Sequence, residues 1–219
     1  MDFDFVFAWK ILPTLLYATR ITVLATAVSF VIAIFGGLLL FSLRRYRWRP
    51  LASVVDYLTE FVRNTPFLVQ LYFAYFIGPQ FGLDLPPLQT GILVLAIHYS
   101  CFMSESYRAG LEAIPRTQWE AGVALNYSRL QIYSRLIIPQ AIPIIIPNAG
   151  NLLIYMFKDT PFLAAISVAE MMQAATRIGS EQFRYLEPIT ICGVIFLALS
   201  LLSSVAIRMA DRRFGAAWR

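Results

Sequence analysis

Three side chains with chemistry of their own, His98, Cys101 and Glu105, stand three and four residues apart, a spacing that places them on one face of a helix. Glu105 directly follows 85–104, a run without Asp, Glu, Lys or Arg, and a carboxylate among so many apolar residues is costly unless it faces a cavity or a partner. Two readings are open: Glu105 holds the cationic part of a zwitterionic solute, or it pairs with Arg108 one helical turn away. Lys158 and Asp159 pose the same question after the uncharged run 136–157. Asp159 either meets the solute or an outer gate, or forms with Lys158 a neighbour pair solvated at the membrane interface. Arg63 precedes Asn64-Thr65-Pro66, where the proline interrupts the helical bond pattern and exposes carbonyls; it meets a substrate carboxylate or pairs with Glu60. Thr65 and Met156 complete the candidate set for solute binding and translocation.

The same residues support covalent chemistry poorly. A membrane-embedded enzyme using His98, Cys101 and Glu105 is an alternative, but it lacks a second base or a metal cluster. His98 is the one histidine, and no close pair of metal ligands recurs on a helix, so no metal site is expected. Cys101 and Cys192 lie inside apolar runs and are expected as free thiols. No Gly-x-x-x-x-Gly-Lys-Ser/Thr phosphate loop is present, so ATP hydrolysis would have to come from a partner, and no cofactor is expected on this chain.

The elements that position these residues are set by hydropathy. Of the 219 residues 58% are hydrophobic and 14% charged, against roughly 25% charged in a soluble domain. Five runs, 21–43, 64–83, 85–104, 136–157 and 188–207, contain no charged residue, and each is long enough to cross a bilayer, which takes about 20 residues. With amphipathic flanks the predicted spans are 12–43, 54–80, 85–107, 136–160 and 187–208, an all-α integral membrane protein of one domain. Arg44, Arg45, Arg47 and Arg49 follow the first span and place that loop in the cytoplasm, which puts the N-terminus outside and the C-terminal tail, with Arg208, Arg212, Arg213 and Arg219, inside. The acidic residues Asp2, Asp4, Asp84, Glu170, Glu181 and Glu187 then fall outside. The excess arginine is what topology requires, so a nucleic-acid partner is not implied. Met-Asp-Phe-Asp lacks the basic start of a signal peptide, and the first span is expected to remain as an anchor.

Residues 108–135 are the least membrane-like stretch, with the hairpin itself at 112–135. Pro115 with Thr117-Gln118-Trp119-Glu120 marks a helix start, and Asn126-Tyr127-Ser128 a turn, which predicts a helical hairpin at the inner membrane face. Pro139, Pro143 and Pro147 predict a bent or interrupted fourth span that lines the inside of an assembly rather than facing lipid all round. Residues 162–187 read as short amphipathic helices over the outer mouth, with Ile166, Val168, Met171, Met172 and Ile178 as the apolar positions.

The hairpin segment Glu120-Ala121-Gly122, Asn126 and Leu136-Ile137-Ile138-Pro139 resembles the EAA signature of permease subunits of ATP-binding-cassette importers, with matching spacing to Pro139. Gly122 replaces the usual third alanine and Asn126 the usual glycine; asparagine tolerates the left-handed conformation a glycine would supply. Phe61–Gln70, Ser104–Gly110 with Ile114-Pro115, and Asn151 with Lys158-Asp159-Thr160 are similar to the polar amino-acid (histidine/glutamine) branch, and the likeness covers nearly the whole chain. Within it, His98-Tyr99 and Gly179–Pro188 resemble permeases for ectoine and hydroxyectoine. The resemblance implies a type I, MetI-like permease fold in a bacterial inner membrane. It also implies a second permease subunit, a pair of cytoplasmic ATPases using ATP and Mg, and an extracytoplasmic solute-binding protein. Glu120, Ala121, Gly122, Asn126 and Pro139 would then shape the ATPase contact, the alternative being an ordinary amphipathic inner loop. A passive channel is a further alternative, disfavoured by the length of the hairpin.

Overall fold

The computed structural model describes residues 3–215, with side chains through residue 209. Asp2 and Arg219, and the side chains of Arg212 and Arg213, all used in the charge count, lie outside what is described. Every regular element among the described residues is helical: α1 (Phe5–Arg44), α2 (Arg49–Asn64), α3 (Phe67–Tyr72), α4 (Pro87–Glu112), α5 (Arg116–Ala124), α6 (Arg129–Gln131), α7 (Ile138–Asp159), α8 (Met171–Gln182) and α9 (Leu186–Gly215). Wide π turns extend α3 (Phe73–Ile77) and join α6 to α7 (Ile132–Ile137), and a tight 3-10 turn, Thr160–Ile166, follows α7.

Three helical stretches among the described residues are long and apolar enough to cross a membrane: Phe5–Arg44, Arg129–Ile166 and Leu186–Met209. They contain the expected spans 12–43, 136–160 and 187–208. The expected span 85–107 falls on α4 from Pro87 onward, a continuous 26-residue helix whose polar residues Thr90, His98, Tyr99, Ser100, Ser104 and Ser106 are buried against its neighbours, while Leu85 and Pro86 precede the helix. Those residues lower its hydropathy, and they are buried because α4 packs at the centre of the bundle against α1 and α7. The stretch 54–80 is not one helix. Pro66 has no N–H to continue the α2 ladder, so α2 ends at Asn64, Thr65 is extended, and α3 begins at Phe67.

The main seam joins α1 to α4. Gly36 and Gly37 allow it: a side chain at Gly37 would place its Cβ 2.6 Å from Cβ of Met103, and one at Gly36 would collide with Ser100. Across this seam the Ser29 hydroxyl donates to the Ile92 carbonyl at 3.0 Å, and Tyr107 to the Ile34 carbonyl at 3.0 Å. Gly37→Val is therefore expected to cost about 1–3 kcal/mol through overpacking. The check is thermal unfolding in detergent, where an unchanged midpoint would contradict the close approach. The core continues from Leu95, Tyr99 and Met103 of α4 to Phe67 and Leu71 of α3 and to Leu152 and Met156 of α7.

The segment expected to lie over the outer mouth packs within the chain. Met171, Ala174, Ala175 and Ile178 of α8 bury against Ile11, Leu15 and Ala18 of α1. Glu170, counted in the sequence among the outer acidic residues, is fully buried and caps α8. Its carboxylate accepts from the Gln173 amide at 2.7 Å and from the Thr22 hydroxyl at 3.3 Å. Burial pushes its carboxyl above the ordinary value of 4.5, against the pull of those hydrogen bonds. The folded state then binds the proton more tightly than the unfolded one, so stability falls as pH rises from 4.5 through the folded value. Glu170→Gln, which keeps an acceptor for the Gln173 amide, is expected to flatten that part of a midpoint-versus-pH curve without loss at neutral pH. A loss of several degrees at neutral pH would mean that the charge itself holds α8.

Candidate functional site

The polar groups of the bundle form two clusters on α4. Toward the end of α4 near Glu112, Glu105 is a hub for three arginines. Its Oε1 lies 2.5 Å from Arg44 Nη1 and 3.4 Å from Arg63 Nη1, and its Oε2 accepts from Arg108 at 2.7 and 2.9 Å. Arg44 also pairs with Asp56, so α1, α2 and α4 meet through one guanidinium. These groups, with Glu60 and Glu112, line a cavity of about 590 Å³. Of the two readings of Glu105, the pairing with Arg108 is the one that forms, joined by two arginines from other helices. The alternative of an Arg63–Glu60 pair is not what forms. Arg63 crosses to Glu105 and sets its guanidinium 5.3 Å from the Phe102 ring centre, because the last turn of α2 faces α4.

One and two turns earlier on α4 lies the second cluster. The Tyr99 hydroxyl donates to Asp159 Oδ2 at 2.7 Å, joining α4 to the end of α7, and Met156 is sealed in the core one turn before Asp159. His98, also buried, places Nδ1 3.1 Å from Gln70 Oε1. Thr65 donates its hydroxyl to the Phe61 carbonyl at 2.7 Å and offers its own carbonyl to the Gln70 amide at 2.9 Å. Cys101 is buried, and its thiol makes no hydrogen bond among the described residues.

Glu105 and Asp159 do not share a site. Glu105 is six residues from Tyr99, the partner of Asp159, which is about 9 Å along a helix. The ring of Phe102, 5.1 Å from His98 and 5.3 Å from Arg63, stands between the clusters. The grouping of His98, Cys101 and Glu105 as an enzyme site also fails to assemble, since His98 is engaged by Gln70 and Glu105 by arginines.

A third feature is the surface of α7. Asn148, Asn151, Tyr155 and Lys158 recur at spacings of three, four and three and are all exposed, so one face of a helix of membrane-spanning length carries a polar stripe.

The chain matches the family model for the binding-protein-dependent transport system inner membrane component over residues 29–216. The chain belongs to that family. This permease is 38% identical to the probable amino-acid ABC transporter permease protein y4tG of Sinorhizobium fredii, over 95% of its own length and 90% of that protein. It is 30% identical to the arginine transport system permease protein ArtQ of Bacillus subtilis, over 97% and 98% of the two chains. Among solved structures, an amino acid ABC transporter crystallised with histidines superposes with a TM-score of 0.92 at 31% identity, covering 97% of the permease and all of that chain. The inward-facing MetNI methionine transporter shares the fold, with a TM-score of 0.71 at 21% identity. The all-helical architecture is thus the MetI-like one.

In the permease the hairpin 112–135 is built as two short helices on a small core of Ile114, Ile132, Ile137 and Ala141. Gly122 is buried because any Cβ would lie 2.8 Å from Ile132, so the departure from alanine permits a closer turn. Asn126 adopts φ +53°, the left-handed conformation at the end of α5. Glu120 is exposed and pairs with Arg116 at 3.3 Å. Ala121 is exposed too, beside Val123, Leu125 and Leu130, which are 66, 63 and 78% exposed. Pro139 sits in the first turn of α7, directly after the π turn Ile132–Ile137, where the helix tolerates its missing N–H.

The residues that sequence reasoning passed over are Arg44, Asp56, Tyr99 and Gln70 in these roles. Tyr99 and Gln70 stood inside the resembling blocks, and Arg44 counted only toward topology. Residues Gly179–Pro188, one support of the ectoine resemblance, are occupied in closing α8 onto α1 and α9. Arg184 pairs with Asp4 and Glu187, and Tyr185 fills the space above Gly179.

Proposed function

We propose that this permease carries a small amino-acid zwitterion across a bacterial inner membrane by alternating access. It would work with a second permease subunit, identical or homologous, a cytoplasmic pair of ATPases and an extracytoplasmic solute-binding protein. The observation that carries this reading is the polar stripe on α7. Hydrocarbon cannot solvate two carboxamides, a phenol and an ammonium, so that face requires a water-filled path at a subunit contact. Lys158 and Asp159 at its end offer opposite charges to the two ends of a zwitterion, and Asp159 keeps Oδ1 for this while Oδ2 is held by Tyr99.

The placement of the arginines supports five crossings, by α1, α2 with α3, α4, α7 and α9, with the N-terminus outside. The apolar tip of the hairpin, Val123, Leu125 and Leu130, then faces the cytoplasm and offers the ATPases a surface. The cargo named for the relative ArtQ, arginine, and that named for the Bacillus subtilis L-cystine permease TcyB, 31% identical, support an amino-acid class. Ectoine or hydroxyectoine is a narrower reading that rests on His98-Tyr99, since residues 179–188 have structural work.

The test is uptake of labelled L-arginine, L-cystine, L-glutamine and ectoine by proteoliposomes holding the assembled importer. ATP-dependent uptake that requires the binding protein supports the proposal, and uptake indifferent to ATP depletion overturns it.

A further inference from the structure

His98 is engaged through one ring nitrogen. Its Nδ1 faces Gln70 Oε1 at 3.1 Å. The Gln70 amide is itself oriented, since Nε2 donates to the carbonyls of Val62 at 2.7 Å and Thr65 at 2.9 Å. Pro66 leaves the Val62 carbonyl short of its usual helical donor, since it lacks the N–H that would continue the helix onto Val62, and that oxygen takes the Thr65 amide at 3.3 Å beside the Gln70 amide. With its NH₂ group committed, Gln70 presents only its oxygen to the ring. Nδ1 must then carry the hydrogen, and Nε2 is left with a lone pair.

Among the described residues no hydrogen-bond partner meets Nε2. It is not sealed either, because the buried side-chain polar atoms without a partner among the described residues are Arg63 Nε and Glu187 Oε2. An accessible acceptor therefore remains on a residue only 7% exposed. The rings of Phe67, Tyr99 and Phe102, with centres 5.4, 5.3 and 5.1 Å away, wall the imidazole. An acceptor in such a setting favours a cationic N–H donor, whose charge also suits the aromatic faces, and disfavours a carboxylate. Docking α3 onto α4 would need Nδ1 alone, which asparagine could supply.

We infer that His98 is a specificity-determining residue of the permease, with Nε2 accepting an N–H from the ammonium, amidinium or guanidinium group of the solute. This rests on the zwitterion cargo proposed above and adds to it a requirement for a cationic N–H group at this position.

Two substitutions separate this role from a structural one. His98→Asn places an amide near Nδ1 and preserves the bond to Gln70, whereas His98→Gln reaches the Nε2 position and gives up that bond. In proteoliposomes of the assembled importer with L-arginine, L-glutamine and ectoine as probes, the asparagine variant is expected to raise KM about 10-fold or more with kcat little changed, as for loss of a charged hydrogen bond. The glutamine variant should stay within about 3-fold of wild type, the range of a weakened neutral contact. An asparagine variant equal to wild type, or a glutamine variant as impaired as asparagine, overturns the assignment. Wild-type vesicles that carry none of the probes overturn the cargo reading itself, a distinct result.

Discussion

Asp159→Asn is expected to lower binding-protein-dependent uptake by about 100-fold, a loss of about 2.8 kcal/mol, with assembly intact. The substitution is nearly isosteric, and an asparagine oxygen can still accept from Tyr99, so the contact between α4 and α7 survives. What disappears is one negative charge beside a polar, water-accessible helix face, where an ammonium group would otherwise find its counter-ion. A structural role predicts the opposite pattern, with the Tyr99 contact as the whole contribution and uptake hardly affected. Initial uptake rates and ATPase rates measured on the same vesicles decide between them. Wild-type uptake in the asparagine variant would remove Asp159 from the solute path, and a fall in ATPase rate in step with uptake would support its role in coupling cargo to turnover.

The parts of this architecture that were legible in the sequence are those that local chemistry dictates. The uncharged runs within α1, α7 and α9 are long and apolar because these helices expose much of their surface. The break at Pro66 follows from a missing N–H, and the left-handed turn at Asn126 from a short polar side chain that tolerates it. Partner choice across helices was not legible. Arg63 has Glu60 one turn away and still pairs with Glu105, because the packing of α2 on α4 directs the guanidinium across the seam. Glu170 stood in the sequence only as one of the outer acidic residues, and the docking of α8 on α1 makes it a buried cap beside Thr22. The orientation of Gln70, and with it the tautomer of His98, depends on three segments meeting, which no spacing pattern encodes.

The same nonlocal pairing makes Glu105 the most consequential single charge for the stability of the bundle. Its side chain is 16% exposed, and Arg44, Arg63 and Arg108 converge on it. Glu105→Gln leaves Arg44 with Asp56 and Arg108 with Glu112, but Arg63 loses its ion partner while its Nε is already buried without a hydrogen bond. Removing one member of a largely buried pair costs about 3 kcal/mol, so the unfolding midpoint in detergent should drop by several degrees. If the cost comes from the stranded guanidinium, then Arg63→Gln introduced together with Glu105→Gln should recover part of it, giving a coupling of about 1 kcal/mol or more in a double-mutant cycle. Additive losses would mean that Arg63 is held by Phe102 alone. An unchanged midpoint for Glu105→Gln would show that the arginines find water in the 590 Å³ cavity as readily as they find the carboxylate.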